Sequence, residues 1–514
     1  MICKSIKAKV SVVCLLAALF INSCSFDATE GRTYYVDSEK GSDSNAGTAP
    51  LKAWKTLDKA SALELNAGDK ILLKKGCVFE GVLTVSGKGR PDSRVIIDAY
   101  GEGEKPLIEA PDSSLYAVLI RNSDYLTLQN IGVTNHGSSR LGGRTGVKVL
   151  SENYGISRNI VLNSLNIHDV NGVLAKREGG GSGILIENRW KEIPSAFDSL
   201  IIENCTIRRC ERNAMIWSAP WDRQKWFPST NTIVRRNLIE EVPGDGIVPI
   251  GCDGALIEYN LMRDCTEMLP PQDAAAGIWP WACDNTVIRH NEVEGHKAPW
   301  DAQGFDCDYG CNNTVIQYNY SHDNYGGMVL VCTSGTDERD PKSLPGNENS
   351  LVEYNVSIND GQRPKMTRGV MFSPIIHVAG PVNKARIEHN ILHMNAKPTP
   401  EIDRAMIVSD FWGGYADSTL FSKNLFYAAE PSSFDMTEST CNLFEGNWYL
   451  GKYNSLPNDA DRRLMSSYYE ELLKKDPSGF GALSFLFDRI QIANGESEVM
   501  AVNEERIREF FGKL

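Results

Sequence analysis

The sequence predicts an all-β protein, a single-stranded parallel β-helix with an N-terminal capping helix and a short helical C-terminal tail. Two repeats predict it. An asparagine closes a short apolar strand at Asn130, Asn163, Asn204, Asn237, Asn260, Asn291, Asn319, Asn355, Asn390, Asn424 and Asn447, with spacings of 23 to 41 residues. A fixed coil with variable insertions gives such spacings. Asn at a recurring bend suits left-handed backbone geometry and hydrogen bonding along a stack. The second repeat is a strand after each bend that opens with Gly or Ala, as in Gly246-Ile-Val-Pro-Ile250, Gly277-Ile-Trp-Pro-Trp281 and Gly304-Phe-Asp-Cys-Asp308.

The elements follow in order. Lys4, Lys7 and Lys9 precede an apolar run, Val10 to Ile21, too short for a confident membrane span. Residues 1–23 therefore read as an export signal. Cys24 stands where a lipoprotein signal places its acylated cysteine, and residues 24–32 read as a tether. Residues 33–454 are the β-helix. Thr33–Val36 is its first strand, and the periodicity from Trp54 to Leu65 predicts the capping helix. Residues 455–514 form the tail, with helices expected over 459–475 and 504–513. The expected location is the cell envelope, with the lipid as the sole membrane contact and the chain a monomer.

Charge narrows the partners. The chain carries 53 basic and 66 acidic residues, and loss of the three signal lysines leaves a net charge of −16. That argues against a nucleic-acid backbone. Ten cysteines follow Cys24 without metal-ligand spacing, so buried thiols are the plain reading.

The opening Tyr34-Tyr-Val-Asp37, Gly41-Ser-Asp43, Gly47-Thr-Ala-Pro50, Trp54-Lys-Thr-Leu57 and Ala67-Gly-Asp69, with the coil Tyr318-Asn-Tyr-Ser-His-Asp-Asn324-Tyr-Gly-Gly327, resembles the right-handed, pectate-lyase-like β-helix superfamily of exported bacterial carbohydrate-active proteins. The resemblance covers nearly the whole mature chain. It implies the fold and leaves the reaction open, because the superfamily holds hydrolases, lyases, esterases and non-enzymes.

Strand side chains alternate faces. In each Gly-led strand the second and fourth residues are apolar or small and point inward. The third and fifth then point outward: Val248 and Ile250, Trp279 and Trp281, Asp306 and Asp308, and Val329 and Val331 on four successive coils. Indoles offer stacking platforms to sugar rings. Paired carboxylates serve glycosidic acid, base or nucleophile work. Asp245, Asp284, Asp301, Gln303 and His322 lie at the edges of these strands. Arg144 and Lys148, with the basic loop at 175–181, suit an anionic group on the sugar.

The favoured expectation is a glycoside hydrolase acting on a carbohydrate. The Gly304–Asp308 strand is similar to Gly-Phe-Asp-x-Asp strands of some exo-acting β-helical hydrolases. The similarity implies Asp306 or Asp308 as one catalyst, with Asp245 or Asp284 as its partner. The insertions at 209–232, with Trp217, Trp221 and Trp226, and at 332–348 are expected to wall the groove into a pocket, which favours exo action. No cofactor is required, although Asp306 and Asp308 could hold calcium. A lyase acting on a uronate polymer is the alternative, with Lys297 or Arg368 as base from a loop. A non-catalytic glycan binder is the third reading.

Overall fold

The computed structural model describes residues 31–334, 346–365, 372–397 and 405–514. The signal segment, Cys24, residues 24–30 of the tether, most of the insertion at 332–348 and Arg368 lie outside the described residues. Among those described, each coil contributes to parallel sheets. The first sheet has fourteen strands, from Thr33–Val36 to Cys441–Glu445. A second runs from Val78–Glu80 through Tyr320–His322 to Trp448–Tyr453. A third contains Arg144–Glu152, Gly181–Arg189, Asn213–Ser218, Phe305–Cys307, Val329–Cys332 and Ile376–Ala379. Inward residues stack coil on coil. Ile257, Ile288, Ile316, Val352 and Ile387 are register partners in the first sheet and lie in one buried core.

Eight of the eleven asparagines form one buried ladder between the first and second sheets. The Nδ2 of Asn237 donates to Asn260 Oδ1 at 2.9 Å, and the pattern repeats through Asn291, Asn319, Asn355, Asn390, Asn424 and Asn447 at 2.9 to 3.1 Å. Asp459 ends it by accepting from Asn447 Nδ2 at 2.9 Å. Each rung also binds backbone. Asn319 Oδ1 accepts the Asn291 N–H at 3.0 Å, and its Nδ2 donates to Ile288 O at 2.9 Å.

The expectation for the first three asparagines is corrected. Glu203 pairs with Arg235, so Cys205, and not Asn204, occupies the rung beside Asn237. Asn130 and Asn204 hold the left-handed position one residue before the rung, with φ of 58° and 54°. In later coils that position carries Tyr259, His290, Tyr318, Tyr354 and His389, with φ of 53° to 55°. A bulky side chain there costs about 1–2 kcal/mol. The five rings stack at centroid distances of 4.9 to 5.5 Å, which offsets part of that cost.

The caps differ from expectation in extent. The N-terminal helix is one short piece, Leu57–Ser61, that buries Leu57 and Ala60, while Trp54 stacks on Tyr34 at 5.2 Å. The tail has helices Ser467–Leu473 and Glu504–Lys513, but between them Phe487–Ile492 and Ser497–Val502 form an antiparallel hairpin. Its turn holds Asn494 at φ 61°, followed by Gly495. The tail lies along the second sheet. Met500 N donates to Glu292 Oε2 at 2.6 Å, and His290 Nδ1 is 3.2 Å from Val502 O.

Asn319→Ala is expected to destabilise the chain by about 3 kcal/mol, since it leaves buried ladder partners unpaired. Asn130→Gly keeps the left-handed geometry and should cost about 1 kcal/mol or less. Urea unfolding of both variants checks this. Equal losses would contradict the ladder's role.

Candidate active site

The third sheet presents the outward residues in two columns. Ile247 bridges Ile278, and Ile278 bridges Phe305. Val248, Trp279 and Asp306 therefore follow one another coil by coil, as do Ile250, Trp281 and Asp308. The approach is tight at the strand starts. A Cβ on Gly277 would sit 2.4 Å from Gly304 O, and one on Gly304 would sit 2.4 Å from Ser321 Oγ. Only glycine lets these coils close.

The columns are roofed by loops rather than open to solvent. They line a cavity of about 480 Å³ together with Lys176, Trp300, Asp301, Tyr309, Leu330, Cys332 and Trp412. Trp279 is 8 % exposed and Asp306 is 4 % exposed, which corrects the expectation for one indole and one carboxylate; Trp281 and Asp308 stay partly exposed. Trp281 packs against Trp221 with ring centroids 5.3 Å apart. Arg223 anchors that loop through a two-pronged ion pair with Asp284, at 2.9 and 3.0 Å. Trp226 stacks on Arg223, whereas Trp217 is buried in the core.

Three carboxyl groups share the cavity. Asp306, Asp308 and the Cys332 thiol each offer an atom within 4.8 Å of the others. Burial, then the neighbouring Asp308 and Asp301, push Asp306 well above the usual carboxylate range. Its Oδ1 is buried without a partner, as suits a neutral acid. Asp301 is pushed up to about 6 by burial and by Asp308. Burial also raises Asp308 to about 6, against the pull of two donors on its Oδ1. Those donors are Tyr309 N at 2.7 Å and Cys332 Sγ at 3.2 Å. Asp301 sits at φ 57° on the two-residue strand Trp300–Asp301, and Arg363 donates to Asp301 O and to Ala298 O, both at 3.0 Å. The donor set does not suit calcium, which takes about six to eight oxygens. Here a thiol, indoles and leucine share the walls with the carboxyls.

The other expected residues lie elsewhere. Asp245 is fully buried behind the cavity. Its Oδ1 accepts from Trp279 Nε1 and Ala276 N, both at 3.2 Å, and its Oδ2 is 3.8 Å from Arg212. It fixes the indole and does not line the cavity. Asp284 anchors the roof. Gln303 is buried, and its carbonyl accepts from Gly277 N at 2.9 Å. His322 is on the second sheet under the tail, held by Asp323 at 2.8 Å and by Glu292 and Glu294 at 3.3 Å. Those carboxylates raise it to about 10 despite its burial. Arg144 is buried among Ser139 O, Asn171 and Asp112 O, where it pins its own loop. Lys148 pairs with Glu187 at 2.5 Å, five coils and about 24 Å from Asp306.

The alternation fails at one coil. Val329 and Val331 pair with Phe305 and Cys307 and face the core, so Leu330 and Cys332 take the outward places. Met328 supplies an extra core residue at the strand start and shifts the alternation by one. Lys176 was legible only as part of a basic loop. Its ammonium lies 5.6 Å over the Trp279 ring, and its backbone N–H is held by Asp273 at 2.8 Å.

The chain matches the family described as right handed beta helix region over residues 116–399, more than half its length. It is 26 % identical to the lacto-N-biosidase of Bifidobacterium longum subsp. longum over 84 % of its own length, and it spans about a third, 31 %, of that curated relative. The GH136 lacto-N-biosidase structure from Eubacterium ramulus is 26 % identical with a TM-score of 0.59, covering 76 % of this chain and 68 % of that one. A mannuronic acid specific polysaccharide family 6 lyase from human gut microbiota, 12 % identical with a TM-score of 0.52, covers 86 % and 94 % of the two chains and shares the fold alone. This chain belongs to the right-handed β-helix family.

Proposed function

We propose that the chain is a glycoside hydrolase that cleaves an oligosaccharide held in the roofed cavity, with Asp301 and Asp308 as the working pair. One observation carries the reading. Three carboxyls meet in an indole-lined cavity, and two of them, both partly exposed, are raised to about 6. Glycosidic cleavage needs one protonated and one ionised carboxyl. The donors from Tyr309 and Cys332 favour the ionised form of Asp308, which makes it the nucleophile or base. Asp301 is next to the Asp308 charge and retains the proton, which it gives to the leaving oxygen. Asp306 is the neutral support beside them. Trp279 and Trp281 flank the sugar rings. A uronate lyase fits less well: among the described residues Lys176 is the one cation lining the cavity, it lies over Trp279, and the ionised Asp308 would oppose a uronate carboxylate. The likeness to lacto-N-biosidases supports the same choice, and it suggests a lacto-N-bioside as a test substrate.

Export and acylation at Cys24 would hold this monomeric enzyme at the cell envelope, where oligosaccharides arrive from outside. Labelling with radioactive palmitate checks this. The wild type should take up label, and Cys24→Ala should not.

Hydrolysis of a 4-nitrophenyl lacto-N-bioside and of an oligosaccharide panel tests the reaction. Products heavier by one water and lacking an unsaturated uronate support hydrolysis, and an unsaturated product would overturn it. Asp308→Asn and Asp301→Asn should each lower kcat on the order of 10³-fold. Asp306→Asn replaces a neutral acid with a neutral amide and should cost about tenfold or less. A larger loss for Asp306→Asn than for Asp301→Asn would reassign the pair.

The rate should peak near pH 6. Above it Asp301 loses its proton and cannot act as the acid; below it Asp308 gains one and cannot attack. The limbs belong to the coupled pair. A rate still rising at pH 8 would contradict the assignment.

A further inference from the structure

Cys332 differs from the other described thiols. Cys77, Cys205, Cys210, Cys252, Cys265, Cys283, Cys307 and Cys311 belong to the main core, and Cys441 is exposed. Cys332 points outward beside Leu330 and lines the cavity. Its Sγ is 3.2 Å from Asp308 Oδ1, and Asp306 brings a third donor within 4.8 Å of both. Asp306 is 96 % buried by its 4 % exposure, lines the same cavity and leaves Oδ1 without a partner.

Two carboxyl oxygens and one sulfur make a mixed donor set. Hard cations such as calcium avoid sulfur, whereas zinc-class cations take thiolate and carboxylate together. Three donors with a cavity on the fourth side match a site that keeps one position open. We propose that Asp306, Asp308 and Cys332 form a binding site for a thiophilic divalent cation of the zinc class, and that its occupation switches off the cavity's chemistry.

The balance is simple. The Cys332 S–H bond breaks, its proton leaves to solvent, and a metal–sulfur bond forms. Asp306 and Asp308 give oxygen donors as carboxylates, and any proton on Asp306 also leaves. Binding therefore releases protons and weakens as pH falls. An occupied site removes Asp308 from attack and competes with substrate. Only this inhibitory consequence rests on the glycosidase reading; the site itself does not.

Cadmium titration of the chain tests it, in a background with Cys3, Cys14, Cys24 and Cys441 changed to Ser, which removes the exposed thiol among the described residues and the three that lie outside them. A saturable thiolate-to-cadmium charge-transfer band in the ultraviolet, at one ion per chain, is expected. Cys332→Ser should abolish the band. Asp306→Asn, which keeps the thiol, should weaken cadmium binding at least about tenfold, the loss typical even of an outer-shell partner. With a 4-nitrophenyl lacto-N-bioside, zinc should inhibit competitively, and Cys332→Ser should raise the inhibition midpoint at least about tenfold. No saturable band, or an equal band in Cys332→Ser, would overturn the site. A band in a chain that hydrolyses no glycan would keep the site and remove the glycosidase reading. Hydrolysis without a band would do the reverse.

Discussion

The coil-to-coil register depends on the buried asparagine ladder. Each rung binds the next coil through side chain and backbone together, so a coil cannot slip without breaking several buried hydrogen bonds. A one-residue slip would send every side chain of a strand to the opposite face. The cavity consists of register neighbours from successive coils: Val248, Trp279, Asp306 and Leu330 in one column, and Ile250, Trp281, Asp308 and Cys332 in the other. The ladder lies on a different edge of the coil, yet it fixes the spacing of the site.

The site concentrates three carboxyls in one roofed cavity. Burial raises Asp301, Asp306 and Asp308 together, and the surroundings separate their roles. Asp308 has two donors, Asp301 lies next to Asp308, and Asp306 is shut in. The environment, rather than the residue type, assigns the roles. Supporting charges stand one layer back. Arg212 binds Asp273 at 2.7 Å, and Asp273 in turn holds the loop that carries Lys176 over Trp279.

Much of this was legible in the sequence. The recurring asparagine and the Gly-led strands revealed the coil, the outward indoles and the outward aspartates, because alternation along a strand is a local property. What covers a face is not local. The roof is made by residues 176, 221, 300 and 412, far apart in the chain, so the burial of Trp279 and Asp306 could not be read. Asp245, next to Gly246, reads from the sequence as a turn residue or a site residue alike, and only its bond from the Trp279 indole shows that it is a support. Cys332 was hidden by one extra core residue, Met328, since a single insertion inverts the alternation after it. The left-handed bend was assigned to the ladder asparagines, whereas Tyr259, His290, Tyr318, Tyr354 and His389 hold it and stack.

The central claim is that a sugar is cleaved between Asp301 and Asp308. A crystal structure of the chain with bound lacto-N-biose tests it most directly. The account requires the disaccharide between Trp279 and Trp281, with its anomeric carbon about 3–3.5 Å from an Asp308 carboxylate oxygen and Asp301 on the leaving-group side. A sugar bound outside the cavity, or with its anomeric carbon against Asp306 and remote from Asp301, would contradict it.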